Sequence, residues 1–169
     1  MSATAVLPRL RPLTASDRPR VEAMTRATGL FRDNEIPVAL EVFDGSTGAG
    51  PDGRVDTDYQ SAGVEVDGAL IGWACWGPTP GTLGTFDLYW IVVDPEHHGR
   101  GYGTMLVEEM ERRVRGQARQ VLVETAGRDD YVRTRAFYLR HGYRVVATIP
   151  DFYAPGDDRV TFLKTLAAR

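Results

Sequence analysis

The chain has 169 residues, of which 43% are hydrophobic and 25% charged, with a formal net charge of -3. This is the balance of one globular domain spanning 1–169; nothing in it favours nucleic acid, and no apolar run approaches the roughly 18 residues of a membrane span. One cysteine, Cys75, and three histidines make an intrachain disulfide impossible and a metal cluster unexpected.

Val6–Leu13 reads as a first strand interrupted by Pro8 and Pro12. Thr14, Ser16 or Asp17 can cap a helix that runs to about Thr28 and stops at Gly29. A second helix is predicted from Asp33 or Asn34 to Phe43, with Ile36, Leu40 and Phe43 on one face and Pro37 in its first turn. Gly45 to Asp58 is read as a flexible loop. Asp67-Gly68 between Ser61–Val66 and Leu70–Trp76 predicts a tight hairpin. After a loop over Gly77 to Gly84, Phe86–Val93 forms a strand. A third helix begins near Gly101 and ends before Gly116, with Leu106, Met110 and Val114 at helical spacing. Gln120–Thr125 is a short buried strand. Tyr131–His141 is a helix stopped by Gly142, and Tyr143–Ile149 and Val160–Leu166 close the chain around a Pro-Gly-Asp-Asp turn. The order predicts an α/β (α+β) fold with a mixed sheet.

The chemistry concentrates ahead of the third helix, in His97-His98-Gly99-Arg100-Gly101-Tyr102-Gly103-Thr104. A helix start attracts negative charge, which proteins usually supply as Asp or Glu. Here the first carboxylates are Glu108 and Glu109, so the early amides are left for an outside anion. Gly99, Gly101 and Gly103 let that anion approach the backbone, and Arg100 adds a forked cation. A phosphate or pyrophosphate fits. A P-loop does not, since no Gly-Lys-Ser/Thr is present. A dinucleotide fingerprint would place its third glycine one residue later than Gly103 and would follow its strand more tightly; Glu124 would be its ribose-binding acid.

Asp94-Pro-Glu-His-His-Gly-Arg-Gly-Tyr-Gly resembles the coenzyme A loop of the GCN5-related N-acetyltransferases (GNAT), with His98 at the position of their Gln or Arg and Gly101 and Gly103 at the small positions. Ala136-Phe137-Tyr138-Leu139-Arg140-His141-Gly142-Tyr143 is similar to the Phe-Tyr-x-x-x-Gly-Phe end of the family's fourth helix. The resemblance covers about residues 60 to 166. It implies a GNAT-like domain with a mostly antiparallel sheet of about six to seven strands, splayed at a central parallel pair. It also implies acetyl transfer from acetyl-coenzyme A to a primary amine, with no metal. His98 to Thr104 would bind the coenzyme phosphates. The backbones of Ile91, Val92 and Val93 would meet its pantetheine arm, and Tyr131, which stands where the family has Asn, would also contact the coenzyme. Arg133 and Arg135 either reach those phosphates or, more simply, form an exposed helix face.

An alkyl ammonium has a pKa of about 10 and must lose a proton before it attacks a thioester, while the departing thiolate, at about 8.5, benefits from a donor. Tyr138 is the expected acid, placed beside the coenzyme sulfur by the resemblance. Glu124 is the expected base: ribosomal-protein alanine acetyltransferases of the family carry one there, and partial burial at a strand end would raise its pKa. For the acceptor, Asp87 and Tyr89 share a strand face with Ile91, and Glu41 lies on the helix that lines the acceptor side in this family. Trp76, Phe152 and Tyr153 lie near the loops bordering it. The acceptor is a small-molecule or peptide amine, a homodimer is compatible with the chain, and the expected location is cytoplasmic. A non-catalytic coenzyme A sensor and a dinucleotide-dependent oxidoreductase are the alternatives. Cys75, between Trp73 and Trp76, is read as inert packing.

Overall fold

The computed structural model of the chain describes residues 7–166; Val6, the expected start of the first strand, lies outside them. The strands are β1 (Arg9–Arg11), β2 (Gln60–Val66), β3 (Ala69–Pro78), β4 (Thr85–Val93), β5 (Gln120–Ala126), β6 (Arg144–Ala154) and β7 (Asp157–Thr165). The helices are α1 (Arg18–Ala27), α2 (Glu35–Thr47), α3 (Tyr102–Val114) and α4 (Val132–Arg140). The strands form one sheet in the order β1-β2-β3-β4-β5-β7-β6. The β1–β2, β2–β3, β5–β7 and β7–β6 ladders are antiparallel, and that between β4 and β5 is parallel. That parallel ladder ends at Leu88↔Val123, although β4 continues to Val93 and β5 to Ala126. The expected mixed sheet with a central parallel pair is therefore present.

The described residues divide into two compact units, 7–76 with 90–110 and 77–89 with 111–166. The divisions fall inside β4 and α3, so each unit is assembled from separate stretches of chain. In the first unit, Asp67 (φ 52) and Gly68 (φ 77) make the left-handed turn between β2 and β3 that a tight hairpin requires. Trp73 is fully buried, meets Phe43 edge-on at 6.1 Å and donates from its indole N–H to the Thr25 hydroxyl at 3.2 Å. Leu106 and Met110 add the apolar stripe of α3. In the second unit, Val121, Val123, Tyr138, Tyr143 and Phe162 form a buried aromatic and aliphatic cluster.

Several boundaries differ from the sequence expectation: β1 is confined to Arg9–Arg11, and β7 starts at Asp157 rather than Val160, so Asp157 and Asp158 of the expected turn are strand. Helix α2 continues through Gly45 to Thr47 and ends at Gly48, whose φ is 71 and whose N–H donates to Asp44 O at 2.8 Å. Gly45 is there for packing: a Cβ at this position would lie 2.7 Å from the Tyr59 ring. Strand β6 also runs past Pro150 to Ala154. The register shift between Ile149 and Ala154 absorbs the proline, with Asp151 at φ 53 and its carboxylate accepting the Gly156 N–H at 2.7 Å.

Candidate functional site

In the first unit the glycine-rich loop joins β4 to α3. A short 3-10 turn over Pro95–His97 follows the strand, and Asp94 Oδ1 accepts the Glu96 N–H at 3.0 Å to start it. The other carboxylate oxygen of Asp94 pairs with the Arg20 guanidinium of α1, which also donates to Leu70 O at 2.9 Å. Burial works to raise the Asp94 carboxyl. The Glu96 N–H and the Arg20 guanidinium outweigh it and hold the group below its ordinary range. Asp94 also donates its own N–H to Ile71 O at 2.8 Å. The junction between strand and loop is thus tied to both α1 and β3.

Gly99 (φ 74) and Gly101 (φ 84) adopt left-handed backbone, and a Cβ added at either would meet nothing within 4 Å. The side of the loop that glycine leaves bare is open space. Arg100 is exposed, and α3 has no acid in its first turn. The cradle therefore has the features a pyrophosphate needs: accessible backbone, a cation and an uncompensated helix start. The His98 ring is engaged differently from a phosphate ligand, since its Nε2–H donates to Val93 O at 2.7 Å. Ile91 and Val93 are half-buried and Val92 is core.

Glu41 is exposed on α2 and lines a cavity of about 520 Å³ with Arg18, Leu40, Asp44 and Arg54, among others. None of residues 91–104 lines this cavity, so it does not bring Glu41 to the glycine loop. Trp90 packs edge-on against Phe31 at 4.8 Å, an aromatic pair at the end of β4 that the sequence did not reveal. Cys75 is fully buried, and desolvation pushes its thiol up to about 12, which leaves it unreactive.

The second unit holds the other predicted residues except Trp76, which ends a stretch of the first. Tyr138 is 2% exposed, with ring contacts to Phe137, Tyr143 and Phe162. Burial, with Tyr131 nearby, pushes its phenol above the ordinary range, so it remains a protonated donor at neutral pH. Tyr131 is buried under the Arg128 guanidinium, 5.2 Å from its ring centroid. Tyr131 ends the 3-10 turn over Asp129–Tyr131 that leads into α4 and lies near enough to act on the Tyr138 phenol. Arg135 neither reaches outward nor forms an idle face: its Nη1 donates to Ala126 O and Arg128 O at 2.9 Å each, which clamps the turn between β5 and α4.

Glu124 is exposed on β5: its side chain keeps 46% of its accessible surface, and its carboxylate lies 3.4 Å from the Arg159 guanidinium of β7. Asp87 has the environment anticipated for Glu124. It is half-buried on β4, desolvation raises its carboxyl, and the Thr79 hydroxyl donates to it at 2.7 Å. Tyr89 is half-buried one turn of the pleat further on. Trp76 is core, its indole N–H donating to Gln60 Oε1 at 3.2 Å, and is no part of an acceptor surface. Phe152 remains exposed beneath Arg159, with Tyr153 edge-on at 5.0 Å.

Against known proteins, the Acetyltransferase (GNAT) family pattern matches residues 30–143. An uncharacterized N-acetyltransferase of Methanocaldococcus jannaschii is 29% identical over 106 residues, 60% of this chain and 63% of that protein, so the match spans less than two thirds of the relative. A solved GNAT-family protein from Desulfovibrio desulfuricans is 35% identical with a TM-score of 0.84, covering 96% of this chain and 100% of its own. An aminoglycoside 6'-N-acetyltransferase solved with coenzyme A shares the fold at 16% identity and a TM-score of 0.73, over 95% of this chain and 98% of its own. The chain belongs to the acetyltransferase (GNAT) family.

Proposed function

We propose that the protein transfers an acetyl group from acetyl-coenzyme A to a primary amine, of a small molecule or a peptide, by direct attack within a ternary complex. The observation that carries this reading is the loop of left-handed Gly99 and Gly101, bare on its open side, ahead of an acid-free helix start. Gly99 to Thr104 would hold the pyrophosphate, with Arg100 as counter-charge. The backbone of Ile91 to Val93 would meet the pantetheine arm, and Tyr131 would border the coenzyme. Bound acetyl-coenzyme A supplies the activated acyl group as a thioester. Tyr138, kept protonated by burial, donates a proton to the leaving sulfur. A carboxylate takes the ammonium proton; Glu124 is one candidate, and the burial of Asp87 makes it the second. Asp87, Tyr89 and Glu41 supply negative and aromatic surface for a cationic acceptor.

The test combines thermal-shift titration with acetyl-coenzyme A and with NAD, followed by thiol release across a panel of amines. Stabilisation by acetyl-coenzyme A with amine-dependent thiol release is expected, with intersecting initial-rate lines for a ternary complex. Binding without release for any amine indicates a coenzyme A sensor, and stabilisation by NAD alone overturns the proposal. Tyr138→Phe tests the acid, since an unchanged turnover removes it from the mechanism. The pH–rate profiles of Glu124→Gln and Asp87→Asn decide the base: the variant that loses the acidic limb identifies it.

A further inference from the structure

We infer that His98 acts through its side chain as a positioning residue, locking the phosphate loop onto the open backbone edge of β4; this rests on the coenzyme reading above. In an antiparallel strand a residue's N–H and C=O point to one side, and the next residue's point to the other. Asp94 donates its N–H to Ile71 O of β3, and Val92 O likewise lies against Gly72 of β3, 3.1 Å from where a Cβ would stand. Val93 O is therefore turned to the opposite edge. The ladder with β5 on that edge has ended at Leu88. The His98 ring closes back over five residues and donates Nε2–H to this carbonyl at 2.7 Å.

The consequence is geometric. The ring ties the residue just before Gly99 to the last residue of β4, while Arg20 and the Glu96 N–H hold Asp94 from the other side. The bond spans the 3-10 turn and ends it, since His98 itself is extended at φ -61 and ψ 153. It fixes where the strand edge stops and where the glycine cradle begins. A coenzyme that lays an extended arm along that edge and its pyrophosphate in the cradle needs that spacing set in advance, and a preset loop avoids the ordering cost on binding. Glutamine carries its amide N–H as many bonds from Cα as Nε2 of imidazole, whereas that of asparagine, like Nδ1, is one bond closer.

Calorimetric titration of coenzyme A into the parent, His98→Ala, His98→Asn and His98→Gln, with melting temperatures recorded without ligand, tests the assignment. The Ala and Asn variants should bind coenzyme A about tenfold more weakly, with Gln returning to within about threefold of the parent. Ligand-free melting should not follow the same order. Ala binding like the parent, or Gln no better than Asn, overturns the positioning role. If Ala does not fold, the Gln and Asn pair still decides it. A parent that fails to bind coenzyme A overturns the functional reading itself, an outcome distinct from equal binding by parent and variants.

Discussion

Lys164, the only lysine of the chain, gives a prediction whose size follows from its surroundings. Its Nζ lies 2.8 Å from both carboxylate oxygens of Glu111, and the Tyr143 hydroxyl donates to the same carboxylate at 3.1 Å. The two charged side chains are only 26% and 11% exposed. Lys164→Met leaves the Glu111 charge poorly solvated and without its cation, which should cost about 3 kcal/mol. For a chain of this length that corresponds to a melting point lower by about 6–12 °C. Replacing both partners, as Glu111→Leu with Lys164→Met, removes the stranded charge and should return stability to within about 1 kcal/mol of the parent. Tyr143→Phe, which loses one bond to the carboxylate, should cost about 1.5 kcal/mol. Urea unfolding followed by circular dichroism measures all of these on one scale, provided the slope m is unchanged. A Lys164→Met variant within about 0.5 kcal/mol of the parent would refute the reasoning, because it would class the pair with exposed salt bridges. The Tyr143 ring lies 5.6 Å from that of Tyr138, so the single variants should also lower turnover at temperatures where the protein remains folded.

Gly101→Ala forces an L residue to φ 84, at about 1–2 kcal/mol, and puts a methyl on the bare face of the loop. Coenzyme A affinity should fall about tenfold or more. Gly116→Ala, at φ 91 beyond the end of α3, should cost similar stability and leave that affinity unchanged in the same titration. Asp17, hydrogen-bonded by Arg11, and Asp94 both have carboxyls held below the ordinary range. Their contribution is present above the unfolded value of about 3.9 and is lost as pH falls through the folded value, so unfolding free energy should decline on the acid side. Asp17→Asn and Asp94→Asn should flatten that decline in acid titrations of stability, and an unchanged slope would show that other groups govern it. Gly45→Ala should lower the melting temperature even though alanine favours helix by about 1 kcal/mol, because its Cβ would sit 2.7 Å from the Tyr59 ring.

Where structure depends on neighbours in sequence, it was legible. The Asp67-Gly68 turn, the apolar stripe of α3 and the stop at Gly142 were readable because backbone preference and helical period are local properties. The ends of α2 and β6 share a cause. Gly45 and Pro150 are local breakers that distant packing and a register shift accommodate: Tyr59 lies fourteen residues beyond the glycine, and β7 receives the bulged strand. The same division runs through the candidate site. Gly99 and Gly101 announce their left-handed turn in one dimension, whereas the Arg20–Asp94 brace joins residues 74 apart and leaves no trace in either segment.

The carboxylates carry this furthest. Glu124 and Asp87 look alike in sequence, each an acid in an apolar strand. Register puts Thr161 opposite Glu124, which brings Arg159, two residues before it, to the same carboxylate; the Thr79 hydroxyl and burial act on Asp87 instead. Proton affinity in a folded chain is a property of such neighbours rather than of the residue. A strand position can nominate a base, but it cannot choose between two; that choice depends on neighbours such as Arg159 and Thr79, which no local pattern announces.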